Sequence, residues 1–323
     1  MKFLIVGFGS IGRRHLRNLL ALGERDIVVV RSGKSTLPVD ELADFRVEYE
    51  MEKALAHQPD AAIIANPTAL HLSAAIPAAR AGCHLLIEKP ISHSLEGLDE
   101  LHSALKQSRA RVLVGFQFRF HPGLRKIASL LTEDAIGRVV SVRAQWGEFL
   151  PNWHPWEDYR TSYAALPDLG GGVALTLSHP FDYLRWLLGE VRDMKSFSAT
   201  LGGLGLAVED TVECLLRFES GAIGSLHLDY IQRPGSHHLE IIGERGTLTW
   251  DNADGAARLS MAGRDGNPGE WQVFAPPADF ERNTLFLDEL RHFLAVVRGE
   301  EAPLCTLADG EAALRLALQA RQA

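Results

Sequence analysis

The chain opens with short apolar runs separated by longer stretches in which apolar residues recur three or four apart. The runs are FLIV (3–6), DIVVV (26–30), AAIIA (61–65), HLLI (84–87) and RVLVG (111–115). Unbroken runs of this length predict strands buried on both faces. The stretches GRRHLRNLLALG (12–23), ALHLSAAIPAARAG (69–82) and LEGLDELHSALKQS (95–108) predict helices. Gly23 and Gly82 stand where helix C-caps belong. Strands alternating with helices predict an α/β fold with a doubly wound parallel sheet.

After Phe116 the pattern changes. A helix is predicted over 122–131, and RVVSVRAQWGEF (138–149) alternates as a half-exposed strand does. Residues 150–168 are polar and aromatic without a period, and a helix follows near 180–188. Alternating runs at 208–218, 222–230, 238–242 and 247–250 are parted by the turns ESGA and GERG, and DGNPG (265–269) reads as a loop. This half predicts a C-terminal α+β domain with a large, open, mostly antiparallel sheet and helices on one face. Helices over 285–297 and 308–320 close the chain. The expected division is 1–118 and 119–323, with the last helices packing back on the first domain. There is no internal repeat and no low-complexity linker.

Composition narrows the partners. The chain has 323 residues, 46% apolar and 23% charged, with a net charge of −8. That is an ordinary globular balance, and without a basic run it argues against nucleic acid or an anionic membrane as the main partner. No apolar run approaches the ~18 residues of a membrane span. The N-terminal MKFLIVGFG lacks the longer apolar core of a secretory leader, so a cytoplasmic location is expected. Cys83, Cys214 and Cys305 are odd in number and far apart, which fits a reducing compartment. His237 and His238 lack an evident third ligand, and no metal is expected.

Chemistry enters at IVGFGSIGRRHL (5–16). Gly7, Gly9 and Gly12 form G-x-G-x-x-G, enclosing Ser10 and Ile11, with a strand before and a helix after. The first glycine permits the tight turn, the second lets backbone approach a pyrophosphate, and the third lets helix pack on strand. The N-terminal sheet is thereby expected to be a Rossmann dinucleotide-binding domain. The next strand ends VVVRSGKS (28–35), placing Arg31 in the slot that is usually acidic in NAD sites, with Ser32 and Lys34 beside it. A guanidinium can grip a 2′-phosphate, which favours NADP(H); NAD(H) is the alternative.

In LLIEKPISH (85–93), Glu88, Lys89 and Pro90 end a strand at the edge where open parallel sheets place their ligands. Pro90 biases Lys89 away from helix. An ammonium there can stabilise charge that develops on a carbinol or carbonyl oxygen during hydride transfer. The set GxGxxGxxH, NPTxxH (66–71) and EKP, at these separations, resembles the glucose-fructose oxidoreductase / inositol dehydrogenase family (Gfo/Idh/MocA) over nearly the whole chain. The resemblance implies that Lys89 contacts the reacting oxygen and that Glu88 lies near the nicotinamide ribose. It implies that Asn66, Pro67 and Thr68 line the cofactor, and that His71 is structural or a cofactor-edge contact. It also implies that Gln117 and Arg119 lie near nicotinamide and substrate.

The second informative stretch is LGGGVALTLSHPFDYLRWLLGEV (169–191). Proline at position 180 belongs near a helix start, and with Ser178 as N-cap His179 falls in the first turn. There the dipole disfavours imidazolium and leaves a ring able to accept a proton. Asp182, three residues on, shares its face. Family members usually carry an Asp four positions before the histidine; here Thr176 stands three before it. Asp182 orients the base, Thr176 positions substrate, or the usual relay is disabled. In PNWHPWEDYRTSY (151–163), Trp153, Tyr159 and Arg160 offer aromatic platforms and hydrogen-bonding groups for a sugar ring, or a subunit contact.

The reading is an NAD(P)-dependent oxidoreductase that moves hydride between nicotinamide and a secondary alcohol or ketone of a sugar, sugar derivative or polyol. Lys89, His179 and Asp182 are its catalytic candidates. Arg119, Trp153, Tyr159, Arg160 and Thr176, with Lys89 and His179, are its substrate candidates. A homodimer or homotetramer through the C-terminal sheet is expected, as in relatives. The competing reading is a nucleotide-binding sensor of the same fold without catalysis.

Overall fold

The computed structural model describes residues 1–33, 38–155, 157–263 and 267–322. The chain folds into two compact units, one comprising Met1–Gln117 with Arg282–Glu311, the other Phe118–Glu281 with Ala312–Ala323.

The first unit holds a six-stranded sheet. Its strands are β1 (Lys2–Val6), β2 (Asp26–Val30), β3 (Arg46–Glu48), β4 (Ala61–Ile64), β5 (His84–Glu88) and β6 (Val112–Gly115). The order is β3-β2-β1-β4-β5-β6, and every pairing is parallel. The side chains of β1, β4 and β6 are buried almost throughout, as the unbroken apolar runs require. Helices α1 (Ser10–Ala21), α2 (Met51–Leu55), α3 (His71–Arg80) and α4 (Leu98–Ser108) connect them. Strand order reverses direction at β1, so the carboxyl ends of β1 and β4 mark the switch point where such sheets bind ligands. The sequence reading missed β3 and α2, whose three and five residues are too short to carry a period. Gly23 and Gly82 do take left-handed backbone just past α1 and α3.

In the second unit α5 (Pro122–Thr132), α6 (Val173–Thr176) and α7 (His179–Leu188) accompany β7 (Val139–Gly147) to β14 (Pro268–Phe274). The eight strands run β14-β13-β12-β11-β7-β10-β9-β8. Every pair is antiparallel except β7 with β10. Helix α5 packs on β12 and β13, α6 on β9 and β10, and α7 on β7. The strand β9 (Thr211–Phe218) alternates buried and exposed along its length, so one face meets the helices and the other is open. Short 3₁₀ turns at Leu150–Asn152, Tyr159–Thr161, Tyr163–Ala165 and Pro167–Leu169 lie in the stretch without a period. The strand β8 (Val191–Ala199) escaped the sequence reading because Met194 alone among its nine residues is buried. The closing helices are α8 (Arg282–Arg298) and α9 (Leu307–Arg321); α8 lies in the first unit, and α9 begins there and ends in the second.

Candidate functional site

The glycine loop joins β1 to α1. Gly7 has φ +93°, and a Cβ there would lie 2.6 Å from the Asn66 backbone, so this turn presses directly on the loop after β4. A Cβ on Gly12 would lie 2.1 Å from the Gly7 carbonyl oxygen, so helix and strand approach only without a side chain. Gly9 differs: a Cβ there meets nothing within 4 Å. It is the N-cap of α1, whose cap makes no side-chain hydrogen bond and whose first turn, including Ser10 and Ile11, has no acid. Open space over a helix N-terminus with free N–H groups suits a pyrophosphate.

Three further loops at the same edge carry buried polar atoms without a hydrogen-bond partner among the described residues. They are Nε of Arg31 after β2, Oδ1 of Asn66 after β4 and Oε1 of Gln117 after β6. Asn66 Nδ2 donates to the Leu70 carbonyl at 2.9 Å, which fixes the amide's direction. Pro67 leads into a 3₁₀ turn that buries Thr68. Ser32, next to Arg31, is exposed. Lys34 lies outside the described residues.

Glu88 is the last residue of β5, and Lys89 beside it is half-buried. His15 Nε2 lies 2.7 Å from Glu88 Oε1. Burial works against the charged form of Glu88, but the His15 hydrogen bond and the Lys89 charge outweigh it and hold the carboxyl below its usual range. His71 ties two loops together: Nδ1 is 2.9 Å from the Pro90 carbonyl and Nε2 is 2.8 Å from the Asn66 carbonyl. Burial pulls its pKa down, against those carbonyls and the charge of Glu88. This places His71 among the supports of the loops after β4 and β5.

In the second unit His179 is 1% exposed, with ring contacts to Phe118 at 4.8 Å and Trp146 at 5.6 Å between centroids. It opens α7 as expected, but the Ser178 hydroxyl does not cap the helix, because Ser178 itself has helical φ and ψ. Asp182 and Arg119, expected at the base and the substrate, engage each other. Arg119 Nε donates to both carboxylate oxygens at 3.2 and 3.0 Å, and its Nη2 donates to Oδ1 at 2.7 Å. The side chains are 4% and 1% exposed, so this is a buried ion pair between the 3₁₀ turn Gln117–Phe120 and α7.

Thr176 is buried, and the Tyr230 phenol donates to the Ala164 carbonyl at 3.4 Å. Trp153 packs edge-on to Tyr230 at 5.6 Å, and the Tyr159 hydroxyl donates to the Leu204 carbonyl at 2.9 Å. The cavity these two line with His154 and Glu157 is about 10 Å³, room for about one water. Arg160 is exposed and pairs with Asp158 in its own turn. His121 turns out to cap α5, its Nδ1 accepting from Gly123 N–H at 3.1 Å, and burial pushes its pKa down to about 4.

Comparison with known proteins decides the family. Residues 1–116 match the model described as an oxidoreductase family with an NAD-binding Rossmann fold, and residues 124–249 match the GFO/IDH/MocA C-terminal domain. The chain belongs to the GFO/IDH/MocA oxidoreductase family. Myo-inositol 2-dehydrogenase of Thermotoga maritima is 26% identical, the match covering 100% of this chain and 96% of that protein. Levoglucosan dehydrogenase of Pseudarthrobacter phenanthrenivorans is 27% identical over 62% of this chain and 57% of that protein. Among solved structures, the WlbA dehydrogenase of Bordetella pertussis, bound to NADH and UDP-GlcNAcA, superposes with a TM-score of 0.81 at 24% identity, covering 99% of this chain and 95% of that one. That likeness is one of fold: α/β, with a Rossmann sheet and a mostly antiparallel second sheet.

This GFO/IDH/MocA oxidoreductase therefore works with a nicotinamide dinucleotide, and its sensor reading gains no support. The residues of the first unit fit that group: the open space over Gly9, the uncapped start of α1, and the orphaned atoms of Arg31, Asn66 and Gln117. No helix is long and apolar enough to cross a membrane among the described residues. Two residues of the site edge carried no role in the sequence reading. His15 stood in the motif without a partner, and Glu289 sat unnoticed in α8. The signal for Glu289 was available: it lies on the apolar stripe with Leu285, Phe286, Leu290 and Phe293.

Proposed function

We propose that this oxidoreductase transfers hydride between NADP(H) and a secondary alcohol or ketone of a sugar, sugar derivative or polyol, with Lys89 at the reacting oxygen and His179 taking or returning the hydroxyl proton. The observation that carries the reading is the placement of Lys89 directly after β5, at the sheet edge that also bears the open glycine turn and the loops of Asn66 and Gln117. Bound nicotinamide supplies the hydride acceptor or donor. Lys89 donates a hydrogen bond to the oxygen on which charge develops, and His179 holds the proton that leaves it. Sugar and polyol dehydrogenases among the relatives support this substrate class. We assign Arg119 and Asp182 to holding α7, and not to the proton path.

Arg31 carries the choice of NADP(H) over NAD(H), its Nε being unpartnered among the described residues at the end of β2. The test is reduction of NADP⁺ and NAD⁺ against a panel of sugars, polyols and nucleotide sugars, with cofactor affinities measured for wild type and Arg31→Ala. Loss of charge-assisted hydrogen bonds should weaken NADPH binding by about 10–100-fold and leave NADH nearly unchanged. Equal losses for both cofactors would remove Arg31 from that role, and no turnover with any panel member would remove the substrate class.

The open face of the second sheet exposes Phe197 at 81%, Leu215 at 66% and Ile223 at 57%. We assign this apolar face to pairing with a second copy, in dimers or tetramers. Sedimentation at micromolar concentration should give two or four chains; a monomer would rule the assignment out.

A further inference from the structure

Glu289 is fully buried in the middle of α8, and neither carboxyl oxygen has a hydrogen-bond partner among the described residues. One of its oxygens lies within 4.8 Å of a ring nitrogen of His15 and of an oxygen of Glu88, and all three groups are buried. The three come from α1, β5 and α8, remote in sequence. Because a carboxylate only accepts, His15 Nε2 carries the hydrogen in its 2.7 Å bond to Glu88. Positive charge gathers on the Glu88 side: Lys89 follows it in the chain, Arg14 on α1 feels its charge, and His71 on α3 faces it. The charged neighbour acting on Glu289 is Glu88 itself, a like charge.

Two carboxyl groups so placed in a dry interior cannot both ionise. The proton goes to the one without cationic neighbours. Burial, then the charge of Glu88, push Glu289 well above the usual carboxyl range, in agreement with that placement. We propose that Glu289 is a neutral carboxylic acid whose O–H faces the Glu88–His15 pair, and that it positions the Glu88 carboxylate next to Lys89. The positioning half rests on the assignment of Lys89 to the reacting oxygen. Without that acid Glu88 keeps its His15 bond but takes up a proton more readily, which alters the charge beside the Lys89 ammonium. A divalent cation held by the same three donors is the competing occupant.

Infrared spectroscopy of the resting protein at neutral pH tests the first half without turnover. A carbonyl band of a buried protonated carboxyl is expected in wild type and absent from Glu289→Gln. Its absence from wild type overturns the proposal, as does stoichiometric divalent metal in purified wild type that is lost in Glu289→Gln. Kinetics test the second half. Glu289→Leu removes the donor at similar volume and should lower kcat about tenfold with cofactor affinity kept, the effect of one lost hydrogen bond to a charged group. Glu289→Gln retains a neutral N–H donor and should recover most of that loss, which a space-filling role would not produce. Equal losses in both variants, or none in Glu289→Leu, overturn the positioning role. A wild-type band together with full activity of Lys89→Ala would instead sink the Lys89 assignment and leave the protonation of Glu289 standing.

Discussion

Asp182→Ala is expected to destabilise the second unit by about 3–5 kcal/mol, because it leaves the Arg119 guanidinium buried without its carboxylate. A folded domain holds only about 5–15 kcal/mol in total, so this one change should consume much of the margin. For a unit of this size the loss corresponds to a fall in melting temperature of roughly 6–20 °C. Arg119→Ala should cost less, since a stranded carboxyl can take up a proton and a stranded guanidinium cannot give one up. Replacing both residues by apolar side chains of similar volume should recover a large part of the loss, as buried ion pairs often permit. Urea unfolding of the three variants checks the order. If Asp182→Ala unfolds like wild type but turns over slowly, Asp182 acts on the chemistry and the structural assignment fails.

What could be read from the chain and what could not divides along a physical line. The glycine loop, the strand ends at Arg31 and Asn66, and the EKP corner are local: their meaning depends on a strand before them and a turn after, and both are visible in neighbouring residues. The fold class followed from the same short-range periods. The Arg119–Asp182 pair was beyond reach because its members stand 63 positions apart. Each had a plausible local reading, one as a substrate contact and one as an orienting acid. His121, just before Pro122, carries no cap signal in the sequence yet caps α5, because a histidine's acceptor nitrogen can serve where Ser or Asp usually does. The aromatic stretch 151–163 reads as a platform for a ring or as a subunit contact; within the chain Trp153 packs on Tyr230 and the Tyr159 hydroxyl donates to the Leu204 carbonyl. The edge strands β8 and β14 and the short β13 (Ala257–Ala262) went unread: β8 buries only Met194, and β13 buries Ala257, Leu259 and Ser260, which do not alternate.

Lys89 is the residue on which the chemistry depends. It is half-buried at the end of β5, next to a carboxylate held by His15, and its loop is braced by His71 through the Pro90 carbonyl. A donor aimed at developing charge acts in the transition state far more than in the ground state, so its loss should appear in kcat and not in cofactor binding. Removing one such donor typically costs about 10²–10³ in rate. Arginine should not restore it, because a planar fork cannot occupy the place of a compact ammonium.

The most direct measurement is the rate of hydride transfer in a single turnover, with saturating cofactor and substrate, for wild type and Lys89→Ala, alongside the affinity of each for reduced nicotinamide dinucleotide. The account predicts transfer slowed by about 10²–10³ with cofactor affinity within a few-fold of wild type. Unimpaired transfer in Lys89→Ala, or a loss explained entirely by failure to bind the cofactor, would contradict it.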